Sequence, residues 1–221
     1  MNYDTLLDES FDFLYPNRAV IDYCIHFMNY EEDNTLDAFE WWDNPREPII
    51  VWEGGDPKPI KVIKIHGSLN WKYCNCCNQV LLTPWNTDID LNTQRFKKRI
   101  GPSDENHEEI IIDLKCPHDD NIFDTFIVPP THLKNLNHPA INKLIDEAAI
   151  EIRKAKKIVF VGYSFPEADV HIKALFKKNA NSDVTIEVVD PFLDDKIKSN
   201  YRSLSKEVKF HKVGFSDYLD S

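Results

Sequence analysis

The sequence predicts an α/β fold in which a parallel sheet is covered by helices on both faces. Three observations carry this expectation. The carboxyl-terminal third alternates strand and helix: β-branched and aromatic runs at 158–162, Val184–Val189 and Val208–Val213 are separated by helical stretches at about 168–180 and 192–203. Strands joined by helical crossovers pair in parallel. Just before them, Ile141, Leu144, Ile145, Ala148, Ala149, Ile152 and Ala155 recur at helical spacing. The chain has 221 residues, 42% of them hydrophobic, enough for a core and a small extra lobe.

The elements follow in order. Leu6, Leu7, Phe11 and Leu14 suit a short amphipathic helix starting at Asp4, which Pro16 and Asn17 interrupt. The apolar stretch Arg18–Met28 predicts a second helix. Residues 31–59 are acidic and punctuated by Pro and Gly, and read as an irregular excursion around Trp41 and Trp42 with one strand, Ile49–Trp52. Ile60–Ile65 reads as a strand that delivers His66 and Gly67 to its end. From Tyr73 to about Pro130 the pattern changes. Strands are expected at Val80–Leu82 and Glu109–Leu114, a polar loop at 86–106, and a return to the core at Phe126–Pro130. No internal repeat is visible.

Charge and cysteine content narrow the function classes. The net charge is −11 and the pI about 5.1, which argues against a nucleic-acid binder. Lys173, Lys177 and Lys178 read as a solvated helix face. No apolar run reaches membrane-spanning length and no signal peptide opens the sequence. Five cysteines, three of them within 74–77, do not form a disulfide framework, so a reducing cytoplasm is expected.

The run from Lys157 to His171 is the strongest candidate site. It reads as a buried strand that breaks at Gly162 into a polar loop and then starts a helix. Ligands of open α/β sheets sit at the carboxyl ends of such strands.

Three further segments make that reading specific. Asn2-Tyr3-Asp4-Thr5, His66-Gly67-Ser68, the loop Gly162-Tyr163-Ser164-Phe165-Pro166-Glu167-Ala168-Asp169, and Asp190-Pro191 occur in this order. Together they resemble the sirtuin family, in particular its branch in bacterial NAD-consuming antiviral defence proteins. The resemblance covers most of the chain and is weakest at 17–58 and 84–110. It implies a Rossmann-like NAD-binding domain, here 1–72 with 127–221, and a small inserted Cys-containing lobe, 73–126. It also implies cleavage of the nicotinamide–ribose bond of NAD. On that resemblance Asn2 would orient the attacking water or acyl oxygen, and Asp4 would contact the nicotinamide end. His66 would act as general base on a ribose hydroxyl. Gly162 and Ser164 would contact the ribose-phosphate region, and Asp190 the adenine ribose.

Each role has a structural alternative. An imidazole with a pKa near ~6.5 exchanges protons at neutral pH, but a histidine can also be a hydrogen-bonded strand end. Asn2 and Asp4 suit the start of a helix as well as a ligand. Gly162 and Ser164 also fit a plain strand-to-helix turn, and Asp190 fits a helix cap. Among the cysteines, Cys74, Cys77 and Cys116 with His118 form one candidate zinc set, with Asp119 a weaker stand-in; loss of the metal, leaving an apolar remnant, is the other reading. Cys76 would be spare and Cys24 core.

The pattern departs from the family at one place. The family's first strand and Gly-rich turn, which cradle the pyrophosphate at a helix N-terminus, have no counterpart here, so the Rossmann-like sheet lacks its first βα unit. The expectation is therefore the carboxyl-terminal portion of a sirtuin-like domain related to NAD+ hydrolysis, acting as a glycohydrolase once an upstream segment or a protein partner completes the sheet. An inactive remnant used for protein interaction and an NAD-dependent deacylase are the alternatives.

Overall fold

The computed structural model describes residues 4–14, 21–28, 60–83, 88–90, 95–100, 108–112, 115–128, 138–205 and 207–220. The chain divides into two compact units, Met1–Val128 with Asn135–Leu144, and Pro129–Lys134 with Ile145–Ser221. The lobe expected at 73–126 falls inside the first unit.

The first unit opens with helix α1 (Leu6–Leu14). Asp4 Oδ1 accepts the Leu6 N–H at 3.2 Å, satisfying one of the donors a helix start leaves unpaired. The expected amphipathic face is reversed. Leu6, Leu7, Phe13 and Leu14 are exposed, while Asp8 is fully buried. The helix is docked by that carboxylate, which takes hydrogen bonds from Tyr23 Oη and Lys64 Nζ. Burial, and then the Asp8 charge, push the Tyr23 hydroxyl well above its ordinary pKa.

Residues 21–28 are not the predicted helix. Strand β1 (Ile21–Asp22) pairs in parallel with β2 (Ile60–Lys61). Helix is broken locally: Asp22 Oδ1 accepts the Cys24 N–H at 2.8 Å, and Cys24 sits at φ 65°. The strand expected over 60–65 is confined to β2, followed by a turn in which Gly67 N–H donates to Lys64 O at 2.9 Å.

Strand β3 (Gly67–Tyr73) is the centre of a three-stranded antiparallel sheet. Its neighbours are β4 (Val80–Leu82) and β8 (Asp124–Ile127), the latter being the last strand of this unit in sequence order. Trp71 is fully buried, in ring contact with Tyr23 at 5.5 Å, Phe27 at 5.4 Å and Phe126 at 6.2 Å. Strands β5 (Asp88–Asp90), β6 (Arg95–Ile100) and β7 (Glu108–Ile112) form a separate antiparallel sheet. Within the polar loop expected at 86–106, residues 88–90 and 95–100 are therefore strand. Pairing with the Ile-rich β7 overrides the weak strand propensity of its Asp and Lys residues. The strand expected at Ile49–Trp52 lies outside the described residues.

The carboxyl-terminal elements match the alternation. Helix α2 (Pro139–Lys154) buries Ile141, Leu144, Ala148, Ala149 and Ile152. In the second unit, β9 (Lys157–Val161) is followed by a 3-10 turn (Glu167–Asp169), helix α3 (Val170–Asn179), β10 (Thr185–Val189), helix α4 (Asp195–Arg202), β11 (Val208–His211) and helix α5 (Phe215–Leu219). The sheet is parallel, ordered β11–β10–β9, with Val188 opposite both Phe160 and Phe210. One face carries α3 and α4: the Phe160 ring lies 4.9 Å from both Phe176 and Tyr201. The other carries α5, whose Tyr218 Oη donates to Glu187 Oε2 at 2.7 Å. This is the α/β architecture with helices on both faces of a parallel sheet.

Candidate functional site

At the carboxyl edge of the second unit's sheet, β9 ends at Val161 and the chain turns at Gly162, φ 59°. A side chain there would meet no atom within 4 Å, so the glycine serves backbone conformation rather than space. Phe165 also takes a positive φ, 53°, a strained conformation for a bulky residue. It is over-determined by packing, with its ring 5.4 Å from Phe160, 4.9 Å from Tyr163 and 5.0 Å from Tyr201.

Helix α4 ties this loop down. Tyr201 Oη donates to the Tyr163 carbonyl, and Asn200 Nδ2 donates to the Ser164 carbonyl at 3.2 Å. Lys173 Nζ in turn donates to Asn200 Oδ1 at 2.9 Å. Tyr163 Oη donates to Asp169 Oδ2 at 2.9 Å; burial first, then this carboxylate, raise the Tyr163 pKa. Asp190 stands on the neighbouring strand end, since Gly162 N–H donates to Val189 O at 2.9 Å. Its Oδ1 accepts the Phe192 N–H at 2.7 Å. The structure thus brings Gly162, Ser164 and Asp190 to one edge, with Ser164 exposed and Asp190 buried.

In the first unit, His66 is buried at the turn entering β3, and its carbonyl accepts the Val128 N–H at 2.9 Å. Gly67 takes φ 78°. A Cβ there would fall 1.9 Å from Phe126 O, so only glycine lets β8 pass this close. Lys64 Nζ bonds the Asp4 carbonyl at 3.0 Å and Ser68 Oγ at 2.9 Å, besides the Asp8 carboxylate. Through Lys64 the start of α1, with Asp4, is held against the His66 turn. Asn2 lies outside the described residues.

The cysteine cluster is a second locus in this unit. Cys74, Cys77, Cys116 and Asp119 place one donor atom each within 4.8 Å of all the others. Cys77 Sγ and Cys116 Sγ are 3.5 Å apart, and Cys74 Sγ is 3.2 Å from Asp119 Oδ2. Burial pushes the Cys116 thiol up to about 12. Burial also acts to raise Asp119, but hydrogen bonds from Cys74 and the Asn121 N–H outweigh it and bring the carboxyl to about 2. His118, the fourth member of the expected set, is exposed and stands outside the group; Asp119 holds its place. All five cysteines are free thiols.

Sequence reasoning missed Lys64, Asp8, Asn200 and Tyr201. Asp8, Asn200 and Tyr201 stand at helical positions and Lys64 before a turn, where a charged or polar side chain carries no mark of burial, so nothing local distinguished them. Asp119 did carry a signal: its spacing from Cys116 equals that between Cys74 and Cys77.

No family model matches the chain, and no curated protein matches it. Among solved structures the chain is similar to a Sir2 homologue variant in complex with ADP-ribose, with TM-score 0.41 and 16% identity over 74% of this chain and 51% of that one. It is also similar to a Sir2 bound to an acetylated peptide, with TM-score 0.40 and 13% identity over 73% and 54%. A third is a Sir2 with a p53 peptide and NAD+, with TM-score 0.39 and 13% identity over 74% and 55%. The chain spans about half the length of these structures.

Proposed function

We propose that the chain is a sirtuin-like domain that binds NAD+ and hydrolyses its nicotinamide–ribose bond. The observation that carries the reading is the strained Gly162–Phe165 loop beside Asp190 at the carboxyl edge of a parallel sheet. The Tyr163 and Ser164 carbonyls accept hydrogen bonds from α4, and a loop tied down in this way loses less freedom on binding. Gly162 and Ser164 would receive the ribose-phosphate portion, and the Asp190 carboxylate would accept from the adenine ribose diol. The ordered motifs that include Asn2, Asp4 and His66 supply the rest of the proposal. Asn2 would orient water, Asp4 would contact the nicotinamide end, and His66 would take a proton from a ribose hydroxyl as positive charge develops on the sugar. Water adds to the ribose carbon, the C–N bond breaks toward nicotinamide, and ADP-ribose, nicotinamide and one proton leave.

Zinc belongs to the same proposal as a structural ion. Three convergent thiols fit its preference for sulfur ligands, and Cys74, Cys77 and Cys116 would hold it, pinning the two turns that carry them.

The test is release of nicotinamide from NAD+ by the purified chain, followed chromatographically. His66→Ala should lower the rate at least about 100-fold with an unchanged circular dichroism spectrum. Release that survives this substitution overturns the assigned base. Release that requires an acetylated peptide assigns deacylation instead. ADP-ribose binding without any release assigns a non-catalytic binding module.

A further inference from the structure

We propose that Asp119 is the fourth metal ligand and the exchangeable one, making the site three thiolates and a single carboxylate. The carrying observation is an eight-residue structural repeat that the sequence hides. Tyr73–Val80 and Lys115–Ile122 are each closed by a bridge between their end residues, Tyr73 with Val80 and Lys115 with Ile122. Inside each, the first Cys N–H donates to the sixth residue of the strand-ending segment that starts with it: Cys74 to Gln79 O at 3.0 Å, Cys116 to Asn121 O at 2.8 Å. The carbonyl of that Cys accepts from the residue four positions on, Asn78 at 2.9 Å and Asp120 at 2.8 Å. Those two residues share the left-handed conformation, φ 59° and φ 58°.

The two turns are therefore the same metal-binding knuckle built twice. Position by position, Asp119 stands where Cys77 stands, and exposed His118 stands where exposed Cys76 stands. Only cysteine is shared between the two segments in the ligand-bearing places, and only at the first of them.

Distances agree. Ligands of tetrahedral zinc, at about 2.3 Å for sulfur and about 2.0 Å for oxygen, lie roughly 3.5–3.8 Å from one another. Cys77 Sγ to Cys116 Sγ is 3.5 Å, and Cys74 Sγ to the Asp119 oxygens is 3.2 and 3.4 Å. Asp119 is also oriented from behind, its Oδ1 accepting the Asn121 N–H at 3.1 Å while Oδ2 lies nearest Cys74.

The consequence is lability. A carboxylate is a harder and weaker partner for zinc than a thiolate. Cys74 and Cys116 are buried, whereas Cys77 and Asp119 are half-buried. Of the two accessible ligands the carboxylate is the weaker, so the ion is held by three sulfurs and released through Asp119.

This inference rests on the metal reading alone and not on NAD cleavage. The full chain, purified with zinc present, is titrated with a chromophoric chelator, and bound zinc is counted by atomic emission. One equivalent is expected. Asp119→Ala should weaken zinc at least about 10-fold, and Asp119→Cys should tighten it and slow its release. His118→Ala and Cys76→Ser should leave affinity unchanged. Cobalt(II) substitution gives a second readout: sulfur-to-metal charge-transfer intensity should match three thiolates in the native chain and rise in Asp119→Cys. Zinc absent from the native chain overturns the metal reading itself. Native affinity in Asp119→Ala, or loss of zinc in His118→Ala or Cys76→Ser, overturns the assignment of Asp119.

Discussion

Lys72 shows at the scale of one residue how a buried charge sets stability. It lies next to the carboxyl end of β3, fully buried, with Nζ donating to Thr125 Oγ1. Burial lowers its pKa to about 8, against the opposing pull of the Asp124 carboxylate. A lysine whose folded pKa falls below its unfolded value of 10.5 weakens the fold while it is charged. Below pH 8 both states hold the proton and the native state bears the whole desolvation penalty. Between pH 8 and 10.5 the unfolded chain binds a proton that the native chain lacks, so stability rises with pH. Lys72→Met should therefore stabilise the protein by on the order of 2 kcal/mol at pH 7. The gain should shrink at pH 9.5. Urea unfolding at the two pH values checks this; a Met variant less stable than native at pH 7 would show that the Thr125 and Asp124 contacts outweigh the burial.

At the scale of elements, two glycines at strand ends separate close packing from backbone freedom. Gly67, entering β3, combines φ 78° with a β8 carbonyl 1.9 Å from where a Cβ would sit. Gly162, leaving β9, has φ 59° and open space around it. Gly67→Ala should cost about 3 kcal/mol or more, because β8 must move away. Gly162→Ala should cost only about 1–2 kcal/mol, the price of a left-handed alanine. Denaturant midpoints compare them directly, and equal losses would refute the close approach. Gly162 was legible as a strand end, because an apolar run before a glycine is a local signal; Gly67 was expected to close a strand over 60–65 and instead opens β3. The β9–α3–β10–α4–β11 alternation was legible for the same reason: its periods of 2 and 3.6 are written in adjacent residues. Strands β1, β5 and β6 were not, since they are made by partners distant in sequence rather than by their own composition. The Arg18–Met28 stretch has the apolar content of a helix, yet Asp22 caps Cys24 and breaks it. In the candidate site, Gly162, Ser164 and Asp190 were readable from strand-end position. Asp8 and Lys64 were not, because a buried ion pair looks like two surface charges until the helix is docked.

At the scale of the whole molecule, charge opposes the ligand proposed for it. The chain carries −11, and ADP-ribose carries roughly −2, its phosphates being fully ionised at neutral pH. Long-range electrostatics therefore repel the two, and any attraction comes from groups at contact distance, such as loop amides and hydroxyls. Salt screens the first effect strongly and the second weakly, because the Debye length falls to about 8 Å at physiological ionic strength. Affinity for ADP-ribose should accordingly tighten by roughly 2- to 5-fold as sodium chloride rises from about 0.02 to 0.2 M. This is opposite in sign to a ligand gripped by a basic cleft, whose affinity falls steeply with salt. Calorimetric titration of the native chain across that range decides the matter. Affinity that drops with added salt would mean that lysines or arginines hold the phosphates, and the Gly162–Phe165 loop would lose its assigned part in binding them.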